Sequence, residues 1–179
     1  MSASSRTGET LYYLEVRSPE AVRASRRLPA DVTIVEQTDP RVVRDTTVAI
    51  GAPWDWPTGH WTDPQWAEYA TRADTRHWTL HRGGVLHGRT GTAIGLASLR
   101  FAVDEAGADE VELETFGLVP AHVGGGVGGP FLVEAARIAF REAPAATRLW
   151  LHTSSADHPY ALENYLRRGF DLYQTMPTR

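Results

Sequence analysis

Four groups of residues in this 179-residue chain have types and spacings suited to chemistry. The densest is "VGGGVGG" (123–129), in which Gly124, Gly125, Gly126, Gly128 and Gly129 surround Val127 between a short apolar run and an amphipathic one. Glycine admits positive φ and lets a ligand approach where a Cβ would stand. A helix starting there adds unpartnered N–H groups and the positive end of its dipole, and a phosphate is their natural ligand. No Lys or Arg lies in 116–136, so an anion is expected to rest mainly on backbone N–H groups. A loose connection or close helix–sheet packing would use the same glycines. The second group is Glu112 and Glu114, two apart in an alternating run and so on one face of a strand. They suit a general base, or a solvated face beside the acidic turn 104–110. The third is Trp54, Trp56 and Trp61 around Asp55. Aromatic faces with a carboxylate suit a cationic amine; a Trp-rich lid stapling helices to the core is the other reading. The fourth is His122, His152 and His158, whose spacings match no metal-ligand pattern, so no metal is expected.

Several chemistries are excluded. A Walker loop needs Gly-Lys-Ser/Thr after the glycines, and Pro130 and Phe131 follow instead. Gly124, Gly126 and Gly129 match a dinucleotide fingerprint, but the acidic residue expected about 20 positions on would be Glu142, at the end of a helix rather than the tip of a strand. All 18 basic residues are Arg, as a GC-rich genome would produce, so no lysine Schiff base is available. The absence of Cys removes disulfides, thiolate catalysis and Cys-type zinc sites. A formal charge of −4 argues against nucleic acid as a partner. No apolar run suits a membrane span, and "MSASSRTGET" lacks the hydrophobic stretch of a secretory signal, so a cytoplasmic protein is expected.

The elements that must position these residues are legible from periodicity and punctuation. Residues 1–10 read as a disordered tail and 11–179 as one domain. Strands are expected over 11–18, 31–38, 76–82, 91–103, 111–119, 147–153 and 169–175, rich in β-branched and aromatic residues. Helices are expected over 39–51 and 62–73, each opened by Asp-Pro, then from the glycines to about Arg141, and over 158–168. Strands alternating with helices imply an α/β layering on one mixed sheet.

The C-terminal part resembles the GNAT superfamily of N-acetyltransferases. That family carries a helix of pattern N-x-x-A-x-x-x-Y followed by Gly-Phe; here His158, Ala161 and Tyr165 hold those positions and Gly169-Phe170 follows. "VGGGVG" then corresponds to the family's Q/R-x-x-G-x-G/A signature for acetyl-CoA. The resemblance covers roughly residues 75–175, with 11–74 as the acceptor-side portion. It departs at Val123, where Gln or Arg is usual, at His158, where Asn is usual, and at Pro130 in the first turn of the phosphate helix. "FGL-P", the glycine loop, "HTSSADHP" and "WDW" together look like a bacterial subgroup of the family whose acceptor is unassigned.

The resemblance implies acetyl-CoA as co-substrate. Its pantetheine arm would lie between strands 111–119 and 147–153, pairing near Phe116, Leu118 and Val119, with its diphosphate on Gly124 to Gly129 and with His158 and Ala161 nearby. It implies Tyr165 as the general acid toward the leaving sulfur, a backbone N–H near Leu118 as oxyanion donor, and Glu112 as the base, with Glu114 as the second candidate. Trp54, Asp55, Trp56 and Trp61 would line the acceptor pocket. The expected activity is N-acetylation of a small-molecule amine (an amino acid, a polyamine or an amine antibiotic) by direct transfer. A protein or peptide N-terminal acetyltransferase and a non-catalytic acyl-CoA-binding module are the alternatives. The additional N-terminal strands leave room for a homodimer.

Overall fold

The first two helices begin where a side chain offers a partner to their first N–H groups. The computed structural model of the protein describes residues 8–86 and 89–178. Residues 1–7 of the expected tail and residues 87–88, between the expected strands 76–82 and 91–103, lie outside the described residues. The strands are β1 (Thr10–Val16), β2 (Val32–Gln37), β3 (Thr75–Leu86), β4 (Arg89–Val103), β5 (Asp109–Leu118), β6 (Arg148–Ser154) and β7 (Asp171–Pro177). The helices are α1 (Pro40–Gly51), α2 (Asp63–Ala70), α3 (Gly128–Glu142) and α4 (Ala161–Arg167). Asp39 caps α1 by accepting from the Arg41 N–H at 2.9 Å. Thr62 and Gln65 form a reciprocal capping box on α2. The last helix starts three residues later than its sequence pattern, because His158 precedes Pro159 and is steered away from helical backbone. It stops at Gly169, whose φ of 92° lets the N–H of Phe170 reach back to the Tyr165 carbonyl.

The strands form one mixed sheet in the order β2-β3-β4-β5-β6-β1-β7. All neighbours are antiparallel except β5 and β6. The first strand therefore lies between the last two, away from the rest of the acceptor-side portion. Both edges of β1 are paired, so it cannot bridge two protomers; β2 and β7 are the edges of the sheet.

Alternation along β4 separates two cores. Ala97, Leu99 and Phe101 join the larger one under α3 and α4, where Phe131, Leu132, Leu149 and Phe170 are fully buried. Leu96 joins a smaller one with Val43, Ile50, Trp66 and Tyr69 of α1 and α2. Helices thus cover both faces of the sheet, and α1 packs chiefly on β4, with further contacts to β2 and β5. No helix among the described residues is long and apolar enough to cross a membrane.

Candidate active site

Strands β5 and β6 pair only from Glu110–Arg148 to Glu112–Trp150, and then separate. A β-bulge marks the point of departure: Ser98 faces Thr115 and Leu99 faces Leu113, which leaves Glu114 as the extra residue. A bulge bends and twists its strand, and here it turns β5 away from β6. Leu113 and Phe116 point into the α3 core, whereas Glu112, Glu114 and Thr115 all face the side of α1 and α2, as their partners there show. The two glutamates share a face as their spacing predicts, and the bulge adds Thr115 to it.

The wedge between the strands is part of a cavity of about 980 Å³. Its walls include Glu112, Glu114, Phe116, Leu118, Gly124, Gly126, Gly128, Gly129, His158, Ala161 and Tyr165, together with Trp54, Asp55, Trp56 and Trp61. Three residues expected there stand elsewhere. The Val119 N–H donates to the Ile94 carbonyl at 2.9 Å, on the β4 side. Val127 is buried in the main core, and Gly125 is outside the lining.

The glycine turn enters α3 without a side-chain cap, and the first bond into the helix runs from the Phe131 N–H to the Val127 carbonyl at 2.9 Å. Among the described residues, none of the N–H groups from Gly124 to Gly129 donates to another protein atom. Such a row of free donors at the positive end of a 15-residue helix favours an anion. Gly126 has a φ of 72°, and the space of its absent Cβ holds the guanidinium of Arg26. The Arg168 guanidinium stands 2.8 Å from where a Gly129 Cβ would be. Two basic side chains thus stand beside the backbone N–H groups expected to hold an anion. Both arginines come from outside the window 116–136, and only folding brings them there.

Tyr165 is buried, packed against Phe116 and Phe170 with its ring on the cavity wall. Burial, reinforced by the charge of Asp157, pushes its hydroxyl well above the usual tyrosine range, so it keeps its proton at neutral pH. Glu112 is held by Arg100, and its other oxygen lies 3.9 Å from His152 Nδ1 across the wedge. Glu114 pairs with Arg72 through Oε1 at 3.0 Å, while Oε2 is buried without a hydrogen-bond partner among the described residues. Burial raises its carboxyl above the ordinary range despite the opposing charge of Arg72. Tyr69 Oη, 2.9 Å from Thr115 Oγ1, is pushed to about 12 by burial and by the charge of Glu114.

The Trp-rich segment forms part of the cavity wall. Trp56 seats its ring against Gly51 and donates Nε1–H to Asp157 Oδ1 at 2.9 Å. Asp157 Oδ2 accepts from Thr153 Oγ1 at 2.7 Å and from the Ser154 N–H at 2.8 Å. Trp54 stands edge-on to His158 at 5.3 Å. Trp61 lies 4.9 Å from Trp66 and 5.3 Å from Tyr69, so it packs the smaller core as well as the pocket. Asp55 adopts the left-handed region at φ 50° and meets His60 at 3.2 Å. Among the described residues no cluster of His, Asp and Glu could hold a metal ion.

The model of the acetyltransferase (GNAT) family matches residues 49–170, more than half of the chain. The chain belongs to the GNAT family. Solved GNAT structures share its fold at low identity. A GCN5-related N-acetyltransferase from Kribbella flavida superposes with a TM-score of 0.60 at 20% identity, over 94% of this chain and 58% of that one. A tandem GNAT protein from the clavulanic acid biosynthesis pathway gives 0.60 at 19%, over 97% and 52%. An acetyltransferase from Trypanosoma brucei gives 0.58 at 18%, over 83% and 98%. The chain thus spans little more than half the length of the first two. No match is found among curated proteins.

Tyr69, Thr115, Asp157 and Arg168 line the cavity and Arg26 stands beside the glycines, although none of them was among the residues singled out in the sequence. Of these Arg26 had a signal, the basic run "RASRR" (23–27), which lies almost 100 residues before the glycines.

Proposed function

We propose that the protein moves the acetyl group of acetyl-CoA to a primary amine of a small molecule, such as an amino acid, a polyamine or an amine antibiotic, by direct transfer in a ternary complex. One observation carries this reading: a single cavity joins the free N–H groups of the glycine turn, the wedge between β5 and β6, and a Trp-walled chamber lined by Asp55, Glu112 and Glu114. Bound acetyl-CoA supplies an acetyl group activated as a thioester. Gly124 to Gly129 hold its diphosphate, and the unpaired edge of β5 at Phe116 and Leu118 orients the pantetheine arm as an added strand would. His158 and Ala161 flank the arm.

Tyr165 Oη is the proton source for the departing sulfur, since burial keeps the phenol protonated. For the base, the surroundings favour Glu114 over Glu112. Arg100 holds Glu112, whereas Glu114 has one oxygen without a partner among the described residues and a carboxyl raised toward neutrality. The Trp54–Trp61 segment, tied across the mouth through Trp56 and Asp157, supports a small acceptor over a peptide chain, which needs an open face.

The test is calorimetric titration with acetyl-CoA, then amine-dependent thiol release. Micromolar binding, about −8 kcal/mol, is expected. Tyr165→Phe is expected to lower kcat by roughly 100-fold or more while acetyl-CoA affinity stays within about threefold. Absence of acetyl-CoA binding by the wild type rejects the reading; full turnover by Tyr165→Phe rejects the role of Tyr165.

A further inference from the structure

The chain carries a net charge of −4, and most of its described arginines face a carboxylate. Among the described side chains four do not: Arg23, Arg26, Arg27 and Arg168. They are gathered in one place. The Arg23 N–H donates to the Arg168 carbonyl at 2.9 Å, and Arg168 Nη1 donates to the Ala24 carbonyl at 3.2 Å. Arg26 Nε donates to the Gly126 carbonyl at 3.1 Å. Arg168 Nε is buried with no hydrogen-bond partner among the described residues. Arg26 and Arg168 line a hollow of about 530 Å³ that opens on Gly126 and Gly129, the same glycines that border the main cavity. Like charges brought together without counter-charges repel each other, and a bound anion relieves that repulsion. The position where the family motif places Gln or Arg is Val123, which offers no polar group.

We propose that Arg26 and Arg168 form the side-chain half of the diphosphate site, supplying from either flank the charge that Val123 lacks, while the N–H groups of Gly124 to Gly129 form its backbone half. The assignment rests on the acetyl-CoA reading above. The two residues lie 142 positions apart in the chain and meet only because the loop after β1 packs against the end of α4. A Cβ at residue 126 or 129 would meet the end of one of these guanidinium groups.

The experiment compares wild type, Arg26→Ala, Arg26→Lys and Arg168→Gln by calorimetry with acetyl-CoA and with its 3′-dephospho form, at two or more salt concentrations. Arg26 is exposed, so its variants are expected to fold; circular dichroism and melting temperature check Arg168→Gln. Each charge-removing variant should bind both ligands about 10- to 100-fold more weakly. Each should also show a shallower dependence of Kd on salt, and Arg26→Lys should recover part of the loss. Wild-type binding with unchanged affinity in the variants overturns the assignment. So does a loss confined to acetyl-CoA and absent for the dephospho form, which would place the arginines on the 3′-phosphate. Failure of the wild type itself to bind overturns the acetyl-CoA reading and the assignment together, and is told apart by the wild-type titration alone.

Discussion

Glu112 and Glu114 are identical in type and two residues apart, yet their surroundings differ. Two nitrogens of Arg100 donate to Glu112 Oε2. At Glu114 burial outweighs the pull of Arg72 and raises the carboxyl above the ordinary range. A base must be ionised to accept a proton, so turnover should rise with pH through the raised Glu114 ionisation and then level off. Glu114→Gln is expected to abolish that rising limb and lower kcat by roughly 100-fold, whereas Glu112→Gln should keep the limb. The pH–rate profiles of the two variants decide the matter; an unchanged profile in Glu114→Gln removes it as the base.

The Trp-rich connection between α1 and α2 is fastened at both ends. At one end Gly51 leaves room for the Trp56 ring, and a Cβ there would lie 2.7 Å from Trp56 Cβ. At the other, Asp157 gathers three donors from two segments about 100 residues apart. Trp56→Phe replaces the indole by a smaller phenyl ring and loses one hydrogen bond, so a cost of about 1–3 kcal/mol is expected. Asp157→Ala leaves three donors without their acceptor and is expected to cost about 1–3 kcal/mol. Urea unfolding measures both. If this segment walls the acceptor pocket, the KM for the amine rises in both variants while acetyl-CoA affinity stays within about twofold. A rise in acetyl-CoA Kd instead would show that the fastening serves the wedge.

Stability as a whole should respond to acid through His77. It is buried between β4 and α2, with Nδ1 2.8 Å from Ser98 Oγ and Nε2 without a partner among the described residues. Burial, with the nearby charge of Arg72, depresses its ionisation from 6.5 to about 4. A depressed folded-state value means the unfolded chain takes the proton first. The stabilisation is therefore complete above about pH 6.5 and is lost as pH falls toward 4. At 1.36 kcal/mol per pH unit, the advantage of wild type over His77→Gln should shrink by about 2–3 kcal/mol between about pH 7.5 and pH 4.5, as read from denaturant midpoints. A constant difference would mean that His77 takes up a proton as readily in the fold as in the unfolded chain.

The same contrast in scale separates what the residues alone determined from what the fold decided. Strand and helix identities followed from alternation, Asp-Pro starts and glycine stops, because these are local effects of backbone sterics and hydrogen bonding. The glycine turn and Tyr165 were legible for a related reason: their chemistry depends on neighbours within a few positions, "GGGVGG" before a helix and "AxxxYxxxGF" along one. The pairing of β1 between β6 and β7 was not legible, since nothing local in Thr10–Val16 selects a partner more than 130 residues away. The bulge at Glu114, the three-donor grip of Asp157 and the arginines beside the glycines share that origin. Each depends on which segments the packed sheet brings within hydrogen-bonding distance, and only the tertiary structure sets those distances.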